Sequence, residues 1–328
     1  MKRRVRLGEG AGGRLDRAVA DALGVGRAVV KEAFQRGEVR VAGRRAQASD
    51  AAQPGAEVEI EVADPPGPPG PEPEAPLSVL LSSDRWLVVD KRAGVPTHPL
   101  RPGEAGTLAN AVVARFPECA TASSAPREGG AVHRLDADTS GCVLFARDRA
   151  AWEFLRAGMA GRGMEKVYLA LVRGRVVASG VCSVPLAQRG GRVVAVPQAE
   201  AGLRLPSRAR APRPAETRWE VRRTFAAHTL LEVRIPTGVM HQIRAHLAHL
   251  GHPVAGDLLY GGEAARLPGL SRHFLHASRL GFDRPEGGRA LAESPLPPEL
   301  EEVLSRLEPE ERARPDPPPG GGSRVPRS

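Results

Sequence analysis

The N-terminal part of the chain shows two helical patterns followed by two extended ones. Apolar residues recur every three or four positions in residues 14–23 and again in residues 26–36, and Gly37 follows the second pattern. This spacing predicts two amphipathic helices, with a glycine C-cap after the second. Apolar residues then alternate in residues 39–41 and 58–62, which predicts two short strands joined through turns.

Stretches rich in proline divide the chain. Residues 63–76 hold almost no large apolar side chain, and proline at this density favours polyproline II, so we expect a semi-rigid linker. Residues 307–328 contain PDPPPGGGSR and are expected to form a disordered tail. A third stretch, about residues 200–214, is rich in arginine and proline and is predicted to be an exposed basic loop. The linker and tail leave a small α+β domain at 1–62 and a larger domain at 77–306.

Short apolar runs of the strand type dominate the larger domain, and helical stretches are fewer. The clearest runs are 86–89, 142–146, 167–172 and 229–235. Their wide spacing predicts an α+β fold, in which a mixed β-sheet is flanked by helices.

The charge of the chain raises the expectation of a nucleic-acid partner. Its 47 Lys and Arg residues outnumber 38 Asp and Glu, giving a net charge of +9, and only four of the basic residues are lysines. Arginine favours planar, bidentate contacts with phosphates and bases. A basic excess by itself is weak evidence, because it can equally form a solvated surface.

Several classes of protein are excluded. No apolar run approaches the ~20 residues of a membrane span, and the initial MKRR is followed by polar, glycine-rich sequence rather than by the core of a signal peptide. Three cysteines without CxxC spacing indicate neither a disulfide framework nor a zinc ribbon. We therefore expect a soluble, cytoplasmic protein that does not bind a membrane.

A polar loop directly before the strand at 142–146 carries the most informative chemistry. Its sequence, HRLDADTSG at 133–141, holds an arginine, two aspartates, a threonine and a serine. A buried strand gives such a loop a rigid support, and active sites are commonly built in this way.

This loop resembles the signature of the RluA-type pseudouridine synthases, in which the aspartate of HRLD is catalytic. Further segments follow in that family's order over about residues 80–285: DKRAGVPTHP at 90–99, KVYLA at 166–170, IPTGVMHQIRAHL at 235–247, GHPVAGDLLYG at 251–261 and LHA at 275–277. The resemblance implies a pseudouridine synthase catalytic domain, an isomerase that needs no metal, nucleotide or flavin cofactor.

The resemblance also implies roles for single residues. Asp136 is the catalytic residue, Tyr168 stacks on the flipped uracil, and Arg244 pairs with the carboxylate and keeps it ionised. Arg134 is the candidate for filling the place that the uridine leaves in the RNA. Tyr168 is expected on the face of its strand opposite Val167, because side chains alternate along a strand.

Three more residues are predicted to contact RNA: His133, Thr139 and His241. His133 is expected to hydrogen-bond the backbone of its loop, and His241 to share one helix edge with Arg244 at a spacing of three residues. The histidines at 241, 246, 249 and 252 lack the HExxH spacing of a zinc site, so we expect no metal.

The N-terminal segment resembles the S4 RNA-binding domain. The string RLDxAVAxAL…GRAVVKEAFQRGEVRVxG follows the order of that family throughout its length. The resemblance implies RNA contacts from four basic residues: Arg14, Arg27, Lys31 and Arg36. A small α+β domain with a solvated basic surface is the alternative.

Together these features imply a monomeric enzyme that isomerises uridine to pseudouridine in structured RNA. Large-subunit ribosomal RNA is the favoured substrate, ahead of transfer RNA. Val239 stands where the family has the arginine of TGR, which motivates an alternative, a catalytically weak RNA-binding or ribosome-assembly protein on the same fold. Retention of Asp136, Tyr168 and Arg244 argues against that alternative.

Overall fold

The computed structural model describes most of the chain. The described residues are 2–61, 67–160, 163–196 and 211–307. The chain forms two compact units. The first unit comprises Met1–Pro68 and Pro99–Glu104, and the second comprises Pro69–His98 and Ala105–Ser328. The tail from 308 onward, the basic loop at 200–210 and linker residues 63–66 lie outside the described residues. None of the described helices is both long and apolar enough to cross a membrane.

The first unit consists of a small sheet and two helices. Its elements are β1 (Lys2–Arg6), α1 (Leu15–Leu23), α2 (Arg27–Arg36), β2 (Val39–Val41), β3 (Arg44–Arg45) and β4 (Glu57–Glu61). The strands are antiparallel in the order β1-β4-β2-β3. Both helices and the C-cap glycine are confirmed, because Gly37 ends α2 in the left-handed region at a φ of 74°.

Strand β1 was not predicted from the sequence. It has four basic residues and one valine, so no apolar alternation marks it. It pairs with β4, and three of its four basic residues lie opposite glutamates, for example Arg4 opposite Glu59. Opposite charges facing each other across two strands stabilise such a pair modestly.

The second unit has one large mixed sheet and a separate hairpin. Its strands are β5 (Ser78–Ser82), β6 (Trp86–Lys91), β7 (Ser140–Ala146), β8 (Met164–Arg173), β9 (Gly180–Cys182), β10 (Leu186–Arg189), β11 (Arg192–Ala195), β12 (Thr217–Thr224), β13 (His228–Arg234), β14 (Leu275–Asp283) and β15 (Arg289–Glu293). The large sheet has the order β5-β6-β7-β14-β8-β13-β12-β9, with β15 paired to β14, and β10 and β11 form the hairpin. The β7–β14 pair is parallel, and the other pairs are antiparallel.

Helices flank this sheet, so the predicted α+β class is confirmed. They are α3 (Leu108–Arg115), α4 (Arg149–Ala160), α5 (Gln242–His249), α6 (Leu258–Gly261) and α7 (Pro298–Arg306). Alternate residues of β6 enter two different cores: Leu87 and Val89 pack in one, and Trp86 and Val88 in the other. The four predicted strand runs all lie within strands of this sheet or extend one residue beyond them.

The parallel contact between β7 and β14 explains a glycine of the signature loop. Gly141 lies opposite Ala277 with a φ of 113°. A Cβ atom at this position would lie 2.2 Å from the carbonyl oxygen of Ala277. Only glycine allows this close approach, which places the loop before β7 next to the start of β14.

Candidate active site

Asp136 lies in the loop that leads into β7, at the edge of a cleft in the second unit. Its backbone carbonyl accepts a hydrogen bond from the Thr139 N–H at 3.1 Å, which closes a turn around the aspartate. Its side chain is partly exposed to the cleft. A turn on the end of a buried strand holds the carboxylate at a defined position.

The last residue of β6 and the loop after it hold the aspartate loop from one side. The buried ammonium of Lys91 donates to three carbonyl oxygens, those of Arg92, Val95 and Ala137, at 2.9, 2.7 and 2.6 Å. The Thr97 hydroxyl donates to the Leu135 carbonyl at 3.0 Å and accepts from the Leu135 N–H at 3.1 Å. Burial lowers the pKa of Lys91 to about 7. The backbone on both sides of Asp136 is therefore tied to the segment after β6.

Arg272 holds the other end of the same loop. Its guanidinium donates to the Asp138 carbonyl at 3.0 Å and to the Ser140 hydroxyl at 3.1 Å, and it pairs with Glu299 of α7 at 2.9 Å. The Thr139 hydroxyl lies 2.8 Å from Nε2 of His273. The aspartate loop thus has a rigid support on each side of its turn.

Arg244 of α5 lies between two aspartates. Its Nη1 donates to Oδ2 of Asp136 at 2.8 Å, while Nε and Nη2 form a bidentate pair with Asp257 at 2.7 and 2.9 Å. Burial by itself would lower the pKa of Arg244, but the hydrogen bonds and charges of the two carboxylates outweigh it and raise the pKa. Burial would likewise raise the pKa of Asp257, yet the Arg244 hydrogen bonds lower it. Asp257 also accepts the Leu259 and Tyr260 N–H groups and so caps α6.

His241 approaches Asp136 from the residue before α5. It is the N-cap of that helix, with a φ of 53°, rather than a member of it. Its Nε2 lies 3.7 Å from Oδ1 of Asp136, and its Nδ1 lies 3.0 Å from the Tyr260 hydroxyl. Burial lowers the pKa of His241 although the charge of Asp136 opposes this. His241 therefore lies beside the carboxylate that Arg244 bonds, but from the N-cap position and not from the predicted helix edge.

One cleft brings together all the residues predicted for the catalytic domain. It has a volume of about 390 Å³, and the predicted residues that line it are His133, Arg134, Asp136, Thr139, Tyr168, His241 and Arg244. Tyr168 is buried in the core on the cleft side of β8, whereas Val167 lines a separate cavity, so the predicted alternation is confirmed. Burial, and then the charge of Asp136, raise the pKa of Tyr168, which keeps the phenol neutral. Arg134 is exposed at the rim.

Two of these residues are turned inward. Nε2 of His133 accepts the Leu144 N–H at 3.1 Å, so its partner is strand β7. The expectation that His133 bonds the backbone of its own loop is wrong. Burial, followed by the charges of Lys166 and Arg156, lowers the pKa of His133 to about 3. Thr139 is buried against His273. These contacts make both residues supports of the loop.

The first unit contains the four other predicted RNA contacts. Arg14 and Arg27 donate to the same carboxylate, that of the buried Asp16, at 3.0 Å each. Burial would raise the pKa of Asp16, but these hydrogen bonds lower it. Arg36 pairs with Glu38 at 2.7 Å, and Lys31 is exposed.

Sequence reasoning assigned no role to Lys91, Asp257, Tyr260 or Arg272. The first three lie within segments that match the family pattern, so the pattern could have marked them, but nothing in the sequence marked Arg272. Among the described residues, no three His, Cys, Asp or Glu side chains converge to hold a metal. The buried His246 instead bonds the Thr217 hydroxyl and the Val184 carbonyl, each at 2.8 Å.

Comparisons with known proteins identify the family of the chain. The family model described as RNA pseudouridylate synthase matches residues 85–249. An uncharacterized RNA pseudouridine synthase of Chloroflexus aurantiacus is 38% identical over 306 residues, covering 90% of each chain. Ribosomal large subunit pseudouridine synthase D of Xanthomonas campestris is 34% identical over 310 residues, covering 90% of this chain and 89% of its own. The solved structure of human RNA Pseudouridylate Synthase Domain Containing 1 has a TM-score of 0.56 at 25% identity, covering 72% of this chain and 89% of the human one. The chain belongs to the RNA pseudouridine synthase family of isomerases.

Proposed function

We propose that this protein converts a uridine of large-subunit ribosomal RNA into pseudouridine, with Asp136 as the catalytic residue. The observation that carries the proposal is the carboxylate of Asp136, which Arg244 holds at 2.8 Å in a cleft shared with Tyr168. The ribosomal substrate is favoured over transfer RNA because similar curated proteins, such as that of Xanthomonas campestris, carry the name ribosomal large subunit pseudouridine synthase.

The reaction rearranges one nucleoside and loses no atoms. The bond from C1′ to N1 breaks, the uracil turns over, and a bond from C1′ to C5 forms, while the proton on C5 leaves and N1 gains one. An ionised carboxylate can act as a nucleophile in such a transfer. Arg244 orients the carboxylate of Asp136, because a guanidinium bonds a carboxylate in a fixed geometry.

The uridine must leave the RNA stack to reach Asp136. The cleft, at about 390 Å³, falls within the range of pockets that bind small ligands. The ring of Tyr168 stacks on the uracil, a contact worth about 1–3 kcal/mol per base. Arg134, exposed at the rim, occupies the place that the uridine leaves.

The first unit is assigned to RNA binding as an S4 domain over residues 1–62, joined by the linker at 63–76 to the catalytic domain at 77–306. Its order of two helices and an antiparallel sheet supports this assignment. The cations assigned to RNA contacts are Arg14, Arg27, Lys31 and Arg36. We place the protein in the cytoplasm, where it acts on ribosomal RNA as a monomer.

Pseudouridine mapping in cellular RNA tests the proposal. A strain lacking the gene is complemented with wild type, Asp136→Asn or Asp138→Asn, the last being an exposed carboxylate two residues away in the same loop. Wild type and Asp138→Asn restore a site in large-subunit ribosomal RNA, and Asp136→Asn does not. Restoration by Asp136→Asn would refute the catalytic assignment.

The same map separates the other candidate functions. A lost site in transfer RNA would move the substrate to that RNA. If the deletion removes no pseudouridine at all, while the purified protein binds ribosomal RNA, the weakly catalytic RNA-binding protein is the correct reading.

A further inference from the structure

Two cations line one end of the cleft and have no part in the mechanism above. They are Arg156 of α4 and Lys166 of β8, here called the basic end. Arg156 bonds the carbonyl of Val132, the residue before His133, and Lys166 lines the same cleft as His133. Both charges lower the pKa of His133. Asp136 is the carboxylate that lines the same cleft among the described residues, and it already pairs with Arg244. The basic end therefore carries positive charge that no cleft carboxylate balances.

Arg156 is exposed, yet its guanidinium is held in place. Nη1 donates to the Val132 carbonyl at 2.6 Å, and the guanidinium lies 5.3 Å from the centre of the Trp152 ring. The Trp152 Nε1–H donates in turn to the Ala131 carbonyl at 3.0 Å, which fixes the ring. A guanidinium anchored in this way loses little conformational entropy when it binds an anion.

Lys166 lies on the same face of β8 as Tyr168, because the two are separated by one residue. Its side chain is buried, and its Nζ donates to the Thr237 carbonyl at 3.1 Å. An ammonium has three N–H donors, and this is the one partner recorded for it in the described part of the chain. Burial lowers its pKa to about 8, as expected for a cation that lacks a countercharge.

We propose that Arg156 and Lys166 bind one phosphate of the RNA backbone beside the flipped uridine. The proposal rests on the proposed function, because it places that phosphate next to the base that Tyr168 contacts. Guanidinium and ammonium groups are the side chains that bind phosphate best, and here one is fixed at the rim and the other lies deeper in the cleft. The phosphate supplies the countercharge that the basic end lacks.

The test measures RNA binding as a function of salt. The full chain carries Asp136→Asn to prevent turnover, and the probe is a labelled stem-loop transcript of large-subunit ribosomal RNA with an unpaired uridine. Adding Arg156→Met is expected to reduce the slope of log Kd against log [KCl] by roughly 0.7–0.9, the contribution of one phosphate contact. Raising KCl from 50 to 200 mM should then weaken RNA binding of the variant by a factor about three times smaller than for the parent protein.

Arg149→Met is the matched control. Arg149 lies over the same Trp152 ring at 5.9 Å and is exposed on the same helix, but it does not line the cleft. Its slope should equal that of the parent. An equal decrease for both variants would indicate a general effect of net charge and would overturn the proposal, as would an unchanged slope for Arg156→Met.

Neutral methylphosphonate substitutions in the probe locate the phosphate. One position beside the uridine should weaken binding of the parent and of Arg149→Met, and should weaken binding of Arg156→Met by a smaller factor, because only Lys166 then contacts that phosphate. If no position behaves in this way, the phosphate subsite is refuted even when the slope changes. Lys166→Met should show the same reduced sensitivity to that position, and circular dichroism shows whether the variant is folded. Because binding is read without product, failure here is distinct from failure of the proposed activity.

Discussion

The two units each contain an aspartate–arginine triad, and the two triads are built in opposite ways. In the second unit Arg244 is central and 8% exposed, between Asp257 at 1% and Asp136 at 23%. In the first unit Asp16 is central and 6% exposed, between Arg14 at 54% and Arg27 at 58%. The buried centre is thus a cation in one unit and an anion in the other.

The difference lies in which charge each triad presents outward. The buried Arg244 orients a carboxylate toward a cleft, where it can react with a bound nucleoside. The buried Asp16 orients two guanidiniums toward the surface, where they can contact phosphates. In both cases a buried opposite charge fixes a more exposed side chain that would otherwise sample many rotamers.

The largest effect should follow removal of the central cation. Arg244→Met leaves the buried Asp257 carboxylate without its countercharge, so we expect the free energy of unfolding to fall by about 3–5 kcal/mol and activity to be lost. Urea denaturation and pseudouridine assays measure the two effects. The double variant Arg244→Met/Asp257→Asn removes the stranded charge and should recover much of the stability without activity. Equal stabilities of the single variant and wild type would contradict a buried triad.

Substitution of Lys91 tests whether the carboxylate of Asp136 also depends on the hydrogen bonds that support its loop. Lys91→Met leaves buried carbonyls unpaired and should cost about 1–3 kcal/mol of unfolding free energy. A displaced Asp136 should lower kcat roughly 10- to 100-fold with little change in KM, because the RNA contacts remain. The control Lys2→Met removes an equal charge from an exposed strand residue and should change neither quantity. A KM effect alone would assign Lys91 to RNA binding.

Asp16→Asn tests the triad of the first unit, and its effect should be smaller. The partners of Asp16 are half exposed, so we expect a loss of about 1 kcal/mol, with weaker RNA binding and an unchanged kcat at saturating RNA. Its pKa is lowered in the folded protein, so this stabilisation is present above the unfolded pKa of about 3.9 and disappears as the pH falls through the folded value. Asp21→Asn, an exposed carboxylate of the same helix, is the control. Lost kcat would contradict a purely binding role.

The smallest effect on RNA binding is expected from Val239→Arg, which adds a cation that no buried carboxylate orients. Val239 is half-buried and packs against the small apolar cluster that includes Leu186 and Ala245. Val239→Arg should steepen the salt dependence of RNA binding by roughly 0.7 at most, with an affinity gain below that of one fixed contact. Filter binding at several KCl concentrations measures the slope. An unchanged slope would show that this position does not face RNA.

Much of the local structure could be predicted because its cause is local. The apolar alternation of residues 86–89 and 142–146 predicted strands β6 and β7, and the glycine at 37 predicted the end of α2. Strand β1 could not be found in this way, because its partner is a row of glutamates more than fifty residues away.

In the site, too, the features predicted from the sequence are local, and those that were missed depend on distant contacts. The motif at 133–141 identified Asp136, and alternation oriented Tyr168. The partner of His133 was misjudged, because β7 folds back to bring the Leu144 N–H within 3.1 Å of its ring. The supports of the loop are also distant in sequence: the ammonium of Lys91 bonds a carbonyl 46 residues away, and Arg272 bonds one 134 residues away.

The sequence by itself therefore determined which residue types are available for chemistry and on which kind of element each lies, since periodicity and motif spacing are properties of neighbouring residues. Only the tertiary structure decided which side chains meet. Three features join residues from different elements: the pair of Arg244 with Asp257, the hydrogen bonds of Lys91 to the loop of Asp136, and the unbalanced charge at the basic end. Such contacts depend on how strands and helices pack, and no local pattern encodes that packing.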